Sequence, residues 1–66
     1  MAIRLGILGI GSMGRHHVRN ARATAGVDLV ALADPGGDRF GVAGDLPVLG
    51  GVKELIEAGI DAAIVA

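Results

Sequence analysis

Gly6-Ile7-Leu8-Gly9-Ile10-Gly11-Ser12-Met13-Gly14 is the stretch that decides how this chain folds. An apolar run from Ile3 to Leu8 breaks there into three glycines, Gly9, Gly11 and Gly14, in the spacing G-x-G-x-x-G. The run is short, with Ile3, Leu5, Ile7 and Leu8 apolar and Arg4 near its exposed start, and it reads as a buried parallel strand. Ser12 has the side chain of an N-cap, so the glycines mark a strand, a tight turn and a helix start.

The pattern continues outward in the same alternation. Gly14, Val18, Ala21 and Ala25 fall at offsets of 0, 4, 7 and 11 residues, which predicts one helix face, while Arg15, Arg19 and Arg22 fall on another that reads as solvated. Gly26 supplies the stop. Asp28-Leu29-Val30-Ala31-Leu32-Ala33 reads as a second strand, ended by Asp34 and broken by Pro35-Gly36-Gly37. From Pro35 to Gly51 six of seventeen residues are glycine, and Asp38 to Ala43 offers at most a turn or two of helix. Pro47-Val48-Leu49 suits a short third strand. Val52, Leu55 and Ile56 suit a short amphipathic helix capped by Gly59, and residues 60–66 suit a further buried strand. The fold class expected is α/β, an incomplete Rossmann-type parallel sheet with the order βαβ-α-β. A strand entering the middle of such a sheet should run on into a covering helix, so residues 1–66 read as the front part of a larger protein.

Each glycine has a separate task in that turn. Gly9 permits the bend off the strand, Gly11 lets the backbone approach a pyrophosphate with no Cβ between, and Gly14 lets the helix pack closely on the sheet. Helix-start amides near Ser12 and Met13 lack intrahelical partners and, with the helix dipole, favour an anion. Asp34 lies twenty residues past Gly14, where the dinucleotide fingerprint places an acid that accepts hydrogen bonds from the adenosine ribose hydroxyls. Its charge repels a 2′-phosphate and favours NAD, while Arg39 just beyond it suits that phosphate and leaves NADP open. The bland alternatives are a ligand-free βα turn and an aspartate that merely starts an Asp-Pro turn.

Composition bounds the remainder. With 66 residues the chain buries only about 60% of its unfolded surface, so stability is expected to be marginal. There is no cysteine to staple it or to ligate a metal as thiolate. No run approaches the roughly 20 apolar residues of a membrane span, and no secretory h-region precedes the first strand, so a cytoplasmic location without membrane association is expected. A net charge of −1 argues against a dedicated nucleic-acid partner, and a single Phe offers no stacking platform. The charge is uneven: residues 1–25 hold Arg4, Arg15, Arg19 and Arg22 and no acid, whereas residues 26–66 hold all seven acids.

Other chemistry finds little support. Adjacent His16 and His17 point about 100° apart on a helix and do not form a metal pair of the i, i+4 kind, so no metal site is expected. Ser12 lacks the G-x-S-x-G elbow and a base. Glu54 and Glu57 read as a solvated helix face.

Gly6 through His17, Asp34-Pro35 and the run Gly59-Ile60-Asp61-Ala62-Ala63-Ile64-Val65-Ala66 together resemble the Gfo/Idh/MocA oxidoreductases. The resemblance implies an N-terminal NAD(P)-binding Rossmann domain followed by an α/β substrate domain absent from this chain. It also implies hydride transfer to or from a sugar or polyol hydroxyl, with a homo-oligomeric parent protein expected. Gly9, Ile10, Gly11, Ser12, Met13, Gly14 and Asp34 match the family's cofactor-binding positions. The family's acid/base lysine stands in a Glu-Lys-Pro motif that residues 1–66 do not contain, so no catalytic residue is assigned. After Asp34-Pro35 the glycine-rich segment departs from the family's longer charged helix. Two other classes share the same features: a non-catalytic NAD(P)-binding sensor or regulatory module, and a structural half-domain with no ligand.

Overall fold

The computed structural model describes residues 2–11 and 14–66. The elements run β1 (Ile3–Leu8), α1 (Gly14–Ala23), β2 (Val27–Ala33), β3 (Val48–Leu49), α2 (Val52–Glu57) and β4 (Ala62–Val65). All four strands are parallel, in the spatial order β3-β2-β1-β4. The chain therefore steps outward from β1 to β2 to β3, then returns over the sheet to lay β4 on the other side of β1.

Alternation along β1 and β2 divides the apolar residues between two faces. Leu5, Ile7, Leu29 and Leu32 pack with Val18 and Ala21 of α1, joined by Ile10 and Ala43. Ala31 and Ala33 pack with Leu55 of α2 on the opposite face. A bulge makes this division possible: Leu5 pairs with Leu29 but Gly6 pairs with Ala31, so Val30 is the extra residue on β2. α1 and α2 thus cover opposite faces of the same two central strands.

Local chemistry sets the ends of the elements. α1 stops at Ala23, three residues before Gly26, whose φ of 82° suits a glycine and turns the chain into β2. Ala25 was expected on the buried helix face, but it lies past that end and is exposed. At the far end of the sheet Arg4 closes α2: its Nε donates to the Gly59 carbonyl at 2.8 Å and its Nη2 to the Ala58 carbonyl at 3.3 Å. A cation on the last carbonyls of a helix satisfies acceptors that have no intrahelical donor. The Arg4 amide also donates to Asp61 Oδ2 at 2.9 Å, which sets the register of β4 against β1.

The segment 38–43, which offered at most a turn or two of helix, forms turns, with Gly41 and Gly44 both at positive φ. Two expectations about burial change. Of the apolar residues in α2 only Leu55 enters the core; Ile56 is 63% exposed, since a helix of six residues presents a single side chain to the sheet. β4 is not buried: Ala62, Ala63 and Val65 are exposed and only Ile64 is half-buried. α2 packs over β1 and β2, and β4 sets only Ile64 against the core. Among the described residues no helix is long and apolar enough to cross a membrane.

Candidate functional site

β1 and β2 end side by side, and Gly9, Ile10, Gly14 and Asp34 meet there. The Gly9 amide donates to the Ala33 carbonyl at 2.7 Å, carrying the pairing one residue past β1 before the chain bends at Gly9, φ 92°. A side chain at that φ is strained, and its Cβ would also stand 2.9 Å from the Ala66 carbonyl oxygen. Ile10 then turns inward and is 1% exposed, anchoring the loop in the core on the α1 side. The Gly11 carbonyl accepts the Arg15 amide at 3.2 Å and so opens α1.

Gly11 and Gly14 differ in what surrounds them. A Cβ at Gly14 would drive into the Gly9 carbonyl oxygen and stand 2.8 Å from its carbon. Here α1 lies directly on the bend, backbone against backbone. A Cβ at Gly11 would meet nothing within 4 Å. Gly14 is therefore required by packing, whereas a side chain at Gly11 would enter open space. Ser12 and Met13, also expected to bind cofactor, and the N-cap expected at Ser12, lie outside the described residues.

Asp34 follows β2 directly and turns its carboxylate onto the bend. Oδ2 accepts the Ile10 amide at 3.0 Å and Oδ1 accepts the Gly36 amide at 2.8 Å. Its own amide donates to the Leu49 carbonyl of β3 at 2.9 Å, and its carbonyl accepts the Gly37 amide at 2.9 Å. The residue is held at four points. The Ile10 amide and then the Gly36 amide hold this carboxyl below the ordinary aspartate range against the opposing effect of burial, and the nearby Arg39 guanidinium adds a smaller pull in the same direction. A carboxylate has about four lone-pair positions, so two remain for hydroxyl donors.

Arg39 sits on the same turn. Its guanidinium Nη2 comes within 3.5 Å of the Cβ position of Gly36, whose other close neighbour is Asp34 Oδ1 at 3.3 Å. A carboxylate and a guanidinium thus lie next to each other at the end of β2.

Several working residues carried no sequence signal. Gly6 lies under α2, where a Cβ would stand 2.8 Å from Leu55 Cδ1 and 2.9 Å from its Cγ. Asp38 folds the next loop: Oδ1 accepts the Val42 amide and Oδ2 the Ala43 amide, both at 2.9 Å, and these bonds hold its carboxyl below the ordinary range. Arg22 is exposed, as expected of its helix face, and its Nη2 also donates to the Ala43 carbonyl at 2.8 Å. Only the acid-then-turn composition of Asp38 to Gly44 hinted at these contacts. The sequence matches no family model and none of the curated proteins compared with it.

Proposed function

We propose that this chain is the dinucleotide-binding portion of an NAD(P)-dependent oxidoreductase, built as the first part of a Rossmann domain. The observation that carries the reading is the Asp34 carboxylate on the Ile10 amide, inside the glycine turn and at the carboxyl ends of the two central parallel strands. In open parallel sheets, ligands bind outside the carboxyl ends of the strands where the strand order reverses, and here the reversal falls between β1 and β4.

The residues present fit the cofactor. Gly11 leaves room for a pyrophosphate against backbone amides, Gly14 brings the start of α1 onto the bend, and Asp34 keeps two acceptor positions for ribose hydroxyls. When bound, a nicotinamide dinucleotide supplies hydride transfer. The chain's own contribution is to hold and orient it; a sugar or polyol substrate follows from the resemblance to the Gfo/Idh/MocA oxidoreductases.

Calorimetric titration of NAD and NADP tests the reading with the wild type and Asp34→Asn. NAD should bind the wild type, and the substitution should weaken NAD about tenfold or more while weakening NADP less. Failure of both cofactors to bind the wild type removes the reading. Equal losses for the two cofactors remove the ribose role of Asp34.

A further inference from the structure

A cleft opens between α1 and the loop that follows β2. It encloses about 370 Å³ between α1 and the 38–43 loop and is lined by Arg15, Val18, Arg19, Arg22, Phe40 and Val42. We propose that this cleft binds a compact polyphosphate, either bare or attached to a nucleoside. None of its lining residues belongs to the Gly9–Gly14 turn, and Asp34 is not among them, so the site stands apart from the dinucleotide reading.

Three guanidinium groups on one wall are the first reason. At 1.5 Å rise per residue, Arg15, Arg19 and Arg22 form a ladder roughly 10 Å long, a length suited to a chain of two or three phosphoryl groups. Guanidinium forks match phosphate oxygens in pairs. Among the described residues none of the three donates to a carboxylate, and all seven acids of the chain lie beyond residue 25. Three like charges along one helix face repel one another unless an anion comes between them.

The opposite wall is the second reason, because it is held in place. Asp38 accepts the Val42 and Ala43 amides, Arg22 grips the Ala43 carbonyl with one of its five N–H groups, and Ala43 is buried. The Arg15 guanidinium lies 5.5 Å from the centre of the Phe40 ring. Phe40 is the single aromatic residue of the chain, and it stands 51% exposed at the cleft rather than in the core. Val18 and Val42 supply an apolar floor. The volume falls within the range of small-molecule sites, about 300–1,000 Å³.

Titrations of the isotope-labelled chain with tripolyphosphate and with ATP, followed residue by residue in nitrogen–proton spectra, test the site. Saturable shifts are expected at the Nε–H groups of Arg15 and Arg19 and at the Phe40 and Val42 amides. Arg19→Glu should weaken binding at least about tenfold, and Arg15→Gln should weaken it in the same direction, with the remaining spectrum preserved in both. Tighter binding of ATP than of tripolyphosphate, lost in Phe40→Leu, identifies a nucleotide ligand; equal affinities identify the bare polyphosphate. Shifts confined to Gly9, Ile10 and Gly11, or affinities unchanged in both arginine variants, overturn the proposal.

Discussion

Asp34 Oδ2 and the Ile10 amide meet at 3.0 Å, although 24 residues separate them along the chain. That bond ties the end of β2 to the bend that follows β1. It makes the carboxylate a structural clamp between the two central strands.

The clamp has a pH signature. Asp34 and Asp38 both have carboxyl groups held below the ordinary aspartate value by backbone amides, led by Ile10 for Asp34 and by Ala43 for Asp38. Such groups contribute stability that is complete above the unfolded pKa and is lost as pH falls through the depressed folded value. Melting temperature should therefore hold from neutral pH down to the ordinary aspartate range and fall steeply below it. Asp38→Asn should flatten that acid limb; an acid limb of unchanged steepness in the variant contradicts the assignment.

Gly14 and Gly11 should respond differently to the same methyl group. Gly14→Ala sets a Cβ against the Gly9 carbonyl, where only backbone can give way, and should cost about 3 kcal/mol or abolish folding. Gly11→Ala meets no atom within 4 Å, and should leave stability within about 1 kcal/mol of wild type while weakening NAD binding. Circular dichroism melts followed by cofactor titration separate the two. A stable Gly14→Ala variant would show that α1 can lift off the bend.

Gly6 and Leu55 form a second tight pair. Gly6→Ala brings a Cβ to 2.8 Å from a side chain with no exposed surface, and overpacking of this kind costs about 1–3 kcal/mol. Trimming the neighbour should relieve it. In a double-mutant cycle with Leu55→Val, the pair should be less destabilised than the sum of the single variants, by about 0.5–3 kcal/mol. Additive losses from denaturant titrations would mean that the two do not touch.

Arg4 tests the far end of the sheet. Its side chain donates to the Gly59 and Ala58 carbonyls, so Arg4→Ala should lower stability by about 0.5–1.5 kcal/mol and speed amide exchange in α2 more than in α1. Arg4→Lys, which lacks the planar fork, should recover only part of the loss. Uniform acceleration of exchange across both helices would assign Arg4 a general charge effect instead.

Spacing alone determined a good deal of this molecule. Hydrophobic period and glycine position are local properties, and they set β1, α1 and β2, the bend at Gly9 and the tight fit of Gly14. The position of Asp34 was also legible, because a strand of fixed rise brings the residue at its end level with the neighbouring turn. Tertiary structure decided what depends on which element lands where. α2 covers β1 and β2 and so makes Gly6 a contact point while leaving β4 exposed. The 38–43 loop folds back onto α1 and makes an exposed row of arginines one wall of a cleft. The Arg22 contact reaches a backbone carbonyl, a group that every residue carries and that no sequence pattern can mark, and the Gly6 contact depends on where the Leu55 side chain of a distant helix lands.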